Sequence, residues 1–165
     1  MPHFPRLTLL AVAAALAVSL PGAAPKQSNL VPYPEGFRSW THVKSAVNEP
    51  HPPFGRYVGM YHIYANARAL RGYRTGRFED GSVIVYDMKK SETRNHNIQS
   101  AGRHFTDVMV KNSRRYQATG GWGYEEFEGD SRDIRTVSTT KGEMSCHSCH
   151  VTQRARDFVF SSIAD

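Results

Sequence analysis

In this 165-residue chain, the stretch Cys146-His147-Ser148-Cys149-His150 is the one best equipped to do chemistry. Two cysteines three positions apart can present both sulfurs to the vinyl groups of one haem, and the histidine that follows then sits beneath the ring as an axial iron ligand. These are the only two cysteines of the sequence. Two other chemistries use the same spacing. A zinc knuckle needs two further ligands at comparable spacing, and no second C-x-x-C or H-x-x-x-H pair occurs. A thioredoxin-like dithiol opens a helix early in a βαβ unit, whereas this motif stands near the end of the chain. One covalently attached haem c, held by Cys146 and Cys149 with His150 on the iron, fits both spacing and position.

No methionine follows His150. A sixth iron ligand would therefore come from upstream, where Met60, Met88, Met109, Met144, His42, His62 and His104 are available, each with a plainer role in packing or at the surface. A five-coordinate iron with one open face is the simpler expectation, and such a face takes small ligands or acts on them. Tyr61 or His62 are candidates for the wall of that open side, against the alternative of ordinary strand packing. Asp107 is an acid among Phe105, Val108, Met109 and Val110. Turned inward it could relay protons during oxidation of a bound amine; turned outward it faces water. Phe54, Phe78 and Tyr86 could cap the iron and exclude water. Arg154, four residues after His150, would share a helical face with it and could touch a haem propionate, or simply be a solvated arginine.

These residues need elements to position them. Arg6, the apolar run Leu7 to Leu20 and Pro21-Gly22-Ala23-Ala24 read as a secretory signal peptide over residues 1–24, too short to span a bilayer. That leaves one haem domain over residues 25–165, exported to the periplasm. A mixed pattern over Trp40 to Val47 suits a strand, Asn48 to Gly55 holds three prolines and reads as a loop, and Arg56 to Tyr64 is rich in β-formers. Asn66 can cap a short helix that Gly76 ends. Strands follow at Ser82 to Met88, His104 to Lys111 and Trp122 to Phe127, with the polar Lys89 to Arg103 between the first two reading as an exposed loop. Helix returns only from Ser145 onward. The expected class is α+β: a mainly antiparallel β-sheet with a short helix after an early strand and a C-terminal helix carrying the haem motif.

The formal net charge is +6, and loss of Arg6 with the signal leaves about +5. The basic residues are scattered with acids between them, not gathered into a stripe, so nucleic acid is not the expected partner. An acidic redox partner, haem propionates or plain solubility account for the charge.

Several runs carry a resemblance: Tyr33-Pro34-Glu35-Gly36-Phe37-Arg38-Ser39-Trp40, Tyr73-Arg74-Thr75-Gly76, Asp80-Gly81-Ser82-Val83-Ile84-Val85, Val110-Lys111-Asn112, Gly120-Gly121-Trp122-Gly123-Tyr124, and the terminal motif with Asp157-Phe158-Val159-Phe160. In this order, over nearly all of the mature chain, they resemble the cytochrome P-460 family, which includes cytochrome c-prime-beta. The resemblance implies a predominantly antiparallel β fold, a homodimer, and a c-type haem that binds nitric oxide or oxidises hydroxylamine. In hydroxylamine-oxidising members a lysine that cross-links to the haem edge follows the strand after the Asp-Gly turn. Tyr86 falls at that point here, with Lys89 and Lys90 three and four residues further on. The expectation is therefore a nitric-oxide-binding cytochrome, with a hydroxylamine or nitric oxide oxidoreductase and an electron-transfer cytochrome as alternatives.

Overall fold

The computed structural model describes Met1 and residues 30–50, 52, 55–137 and 140–164, without the side chains of 140–143. The expected signal peptide, apart from Met1, and Phe54 lie outside the described residues. A single five-stranded antiparallel sheet in the order β1-β2-β3-β4-β5 makes the frame. Its strands are β1 (Thr41–Asn48), β2 (Gly59–Ala65), β3 (Val83–Arg94), β4 (Asn97–Lys111) and β5 (Trp122–Glu128). Among the described residues two short α-helices accompany it, α1 (Ala67–Thr75) and α2 (Thr140–His150). The α+β class expected from sequence is thus corrected: this is mostly an antiparallel sheet, and the C-terminal helix is a small appendage to it.

The largest departure lies between Lys89 and Arg103. This segment is no loop: β3 and β4 run on as a paired ribbon to a two-residue turn at Asn95-His96, both residues with positive φ. The ribbon's outer part reaches beyond β2, whose pairing with β3 ends at Lys89, and beyond β5, whose pairing with β4 starts at Phe105. Water on both faces leaves no apolar alternation to mark a strand.

Where the core covers the sheet, alternation decides the packing. Val108 and Phe127 face one side and pack with Val31 and Tyr116. Ile63, Ala65, Ile84, Met109, Trp122 and Tyr124 face the other, where α1 and the chain after α2 close over them. Helix α1 starts where the Asn66 side chain accepts a hydrogen bond from Ala69 N, and ends at Gly76 in the left-handed conformation (φ 75°). Its Gly72 lies against Phe78, where a Cβ would come within 2.2 Å of the ring.

Candidate haem site

On the second face the cross-strand register lines up three rows of side chains. Ala65, Ile84, Met109 and Tyr124 form one; Ile63, Tyr86, Asp107 and Glu126 the next; Tyr61, Met88, Phe105 and Glu128 the third. The first row is largely covered by packing. Over the second opens a cavity of about 700 Å³, bounded across from the sheet by Cys146, Cys149, His150, Val159 and Phe160. That volume suits a bound small molecule or cofactor, and apolar lining predominates.

The motif sits on the last turn of α2, so both cysteines and His150 reach the cavity. The two thiols are not joined to each other. Burial, with the nearby acids Asp107 and Glu126, pushes the Cys146 thiol up to about 12, so it stays protonated at neutral pH. His150 is bonded through Nδ1 to the carbonyl of Phe158 at 2.7 Å. With the proton on Nδ1, Nε2 keeps its lone pair, as a metal-ligating imidazole requires. Burial lowers the His150 pKa, against a rise from the Phe158 bond, and the neutral ring results. Tyr124, its ring 5.0 Å from that of His150, has a buried hydroxyl with no hydrogen-bond partner among the described residues. Among the described residues no three His, Cys, Asp or Glu side chains converge as a zinc ion needs.

The other end of the cavity is aromatic. Tyr61 stacks on Tyr86 with centroids 4.7 Å apart, and Tyr57 meets Tyr86 edge-on at 6.1 Å. The Tyr86 hydroxyl accepts from Asn48 Nδ2 at 3.1 Å and donates to Met88 Sδ at 3.6 Å. Burial raises the pKa of both Tyr57 and Tyr86, which keeps these phenols protonated.

Asp107 also opens onto this cavity, so its carboxyl faces inward. Across the strands it stands opposite Glu126, and two carboxyls that share a hydrogen bond do not both ionise. Burial first, then the charge of Glu126 and a hydrogen bond donated to it, raise the Asp107 pKa well above the usual range, while Arg56 and the Tyr57 hydroxyl act to lower it. Glu126 forms an ion pair with Arg56 at 2.6 Å and accepts from the Thr136 hydroxyl.

Other candidates stand elsewhere. His62 is on the opposite face, its Nδ1 2.6 Å from Ser45 Oγ, which in turn is 2.7 Å from His42 Nε2. Phe78 is packed beneath α1 against Trp122, away from the cavity. Arg154 is exposed, because the chain after His150 tightens into a 3-10 segment (Val151–Arg156), and its guanidinium lies 6.0 Å from the Phe158 ring. Lys89 pairs with Asp87 on the far face at 3.6 Å, and Lys90 is exposed. Of the upstream methionines and histidines, Met109 lines the cavity, in the row of Tyr124 and so at the His150 end.

Sequence reading missed Lys44, Tyr57, Tyr124 and Glu126. Lys44 reaches the cavity because β1 bulges between His42 and Lys44, so that Lys44 pairs with Ile63. Simple alternation would have put it on the face of His42. Glu126 could have been found by continuing the in-out pattern of β5 from Trp122.

The donor set therefore fits a haem: two thiols and a neutral imidazole at one rim, over a cavity walled by aromatic rings. An antiparallel sheet that carries a Cys-x-x-Cys-His helix along such a cavity defines a haem-binding β protein. The model of the cytochrome P460 family matches residues 34–161, and the chain belongs to that family of haem cytochromes. Among curated proteins, none matches this sequence.

Proposed function

We propose that this chain is a periplasmic mono-haem c-type cytochrome whose iron keeps one axial position open for nitric oxide or a related small nitrogen species. Cys146 and Cys149 would hold the haem by adding their S–H bonds across its vinyl groups, and His150 would be the proximal ligand. When bound, the haem supplies an iron that takes a small nitrogen ligand on its free side. The observation that carries the reading is the pairing of His150 Nδ1 with the Phe158 carbonyl at one end of a cavity whose other end is walled by Tyr57, Tyr61 and Tyr86. The Tyr86 hydroxyl is tied to Asn48 and Met88 and the Tyr57 hydroxyl to Asp107, and burial holds both phenols protonated, so they make poor iron ligands while the three rings exclude water. The export signal read over residues 1–24 supports the compartment, and the family resemblance supports a homodimer and an external redox partner.

A second reading, oxidation of hydroxylamine or nitric oxide, draws on Asp107 and Glu126. This pair holds a proton in the cavity wall, and Asp107 can pass it to Glu126 while accepting one from a bound amine, with Arg56 steadying the charge. Electrons would leave to an external acceptor. Against it stands Tyr86 at the place of the cross-linking lysine, with Lys89 turned to the far face.

Optical spectra of the haem-loaded protein test these readings together. An ordinary high-spin c-type spectrum that shifts on addition of nitric oxide is expected. A ferrous Soret band displaced far to the red would signal a haem cross-link and favour the oxidoreductase. A low-spin spectrum in both oxidation states would favour electron transfer, and protein exported from a competent host without covalent haem would sink the proposal.

A further inference from the structure

The carbonyl that meets His150 is carried on an unusual turn. Asp157 and Phe158 both have left-handed backbone, φ 51° and 66°, a conformation that residues with a Cβ rarely adopt. Away from a two-residue hairpin turn such as Asn95-His96, two such residues in succession persist only where their surroundings over-determine them. Here the surroundings do so from three sides. The Asp157 carboxylate accepts from Lys111 Nζ at 2.7 Å and from the backbone of Phe78 at 2.8 Å. The Asp157 carbonyl accepts from Trp122 Nε1 at 2.9 Å. The Phe158 ring lies on Gly120, where any Cβ would come within 2.3 Å of it. Lys111 is itself fixed, donating to the Gly120 carbonyl at 3.1 Å and standing 5.0 Å from the centre of the Trp122 ring.

Lys111 and Asp157 are both buried. Ion pairs removed from water contribute little net stability, and apolar replacements of similar shape often serve as well. A buried pair placed one residue before the carbonyl that orients an iron ligand is better explained by what it positions.

We infer that Lys111 and Asp157 are positioning residues for the proximal ligand: by locking the Asp157-Phe158 turn they hold the Phe158 carbonyl on Nδ1 of His150 and so keep the imidazole electron-rich at Nε2. The inference rests on the reading of His150 as the iron ligand. A firmly held acceptor on the far nitrogen raises ligand basicity and favours the ferric iron; a loosened one weakens the iron–histidine bond and favours the ferrous state.

Charge and position make opposite demands on Lys111, which provides the test. If the pair acted only through its charges, Lys111→Met would move the midpoint potential negative or, with Asp157 taking up a proton, leave it unmoved. The double variant Lys111→Met with Asp157→Asn would also leave it unmoved. If the pair acts by positioning, both variants move the potential positive and lower the iron–histidine stretching frequency in resonance Raman spectra of the ferrous protein. The double variant leaves no unpaired buried charge and decides the matter should the single one fail to fold. An unchanged stretching frequency in the variants, with the potential negative or unmoved, overturns the inference. His150→Ala separates the two levels: if it leaves the wild-type band in place, the ligand reading has failed, and the inference with it. If it abolishes the band while the Lys111 and Asp157 variants keep it unshifted, the positioning role alone has failed.

Discussion

Asp107 shows at the level of one residue how burial changes what a carboxyl does. Its side chain points into the cavity wall opposite Glu126, and burial raises its pKa. A carboxyl whose folded pKa lies above its unfolded value of 3.8 binds more protons folded than unfolded between the two, so stability falls as pH rises through that window. Asp107→Asn mimics the protonated form and cannot ionise. It is expected to remove that part of the pH slope and to be the more stable protein above the window, by about 1.4 kcal/mol for each unit of pKa elevation removed. Urea unfolding at acid and at neutral pH checks this, and equal slopes in the two proteins would refute it. Tyr86 provides a second residue-level test. Tyr86→Phe loses the bonds to Asn48 and Met88 and should cost about 1 kcal/mol. Since no cross-link through Tyr86 is expected, the optical spectrum and the mass of the haem-bearing peptide should stay as they are. A changed peptide assignment would show that Tyr86 had been bonded to the haem.

At the scale of elements, what could be read in sequence depended on whether local chemistry or long-range contact defined each piece. Helix α1 was legible to within a residue because Asn66 and Gly76 mark its ends by capping and by left-handed φ, both local properties. Asn66 does more than cap: its Oδ1 also accepts from Val83 N at 3.2 Å, and its Nδ2 donates to the Gly81 carbonyl at 2.9 Å, tying α1 to the start of β3. Asn66→Ala should therefore cost about 2 kcal/mol, the upper end for a cap, read as a lowered melting temperature. Gly72→Ala improves helix propensity by about 1 kcal/mol, yet the added Cβ would collide with the Phe78 ring. Overpacking against a buried ring costs about 1–3 kcal/mol and should win, so this variant is expected to melt lower; a higher melting temperature would mean that Phe78 moves freely. The β3–β4 ribbon and the bulge in β1 were not legible. The ribbon has no buried face to impose a period of two, and the bulge that brings Lys44 to the cavity is a shift of register against β2 that β1 does not encode by itself.

For the whole molecule, the family resemblance and the basic charge lead to expectations about association. Sedimentation of the haem-loaded protein should give twice the chain mass, and a chain-mass species at micromolar concentration would remove the homodimer from the proposal. The amino-acid sequence by itself pointed to the haem chemistry, because Cys146, Cys149 and His150 would need only their close spacing on one helical stretch to serve one macrocycle. It also determined the family, through runs spread in order along the chain, and the ends of α1. Only the tertiary structure decided which groups share the cavity with that motif. The face a residue occupies depends on register across five strands, and one bulge or one extended pair changes it. Thus Asp107 meets Glu126, Tyr61 stacks on Tyr86, His62 goes to the far side, and Lys111, forty-six residues before Asp157, comes to pin the turn on which His150 depends.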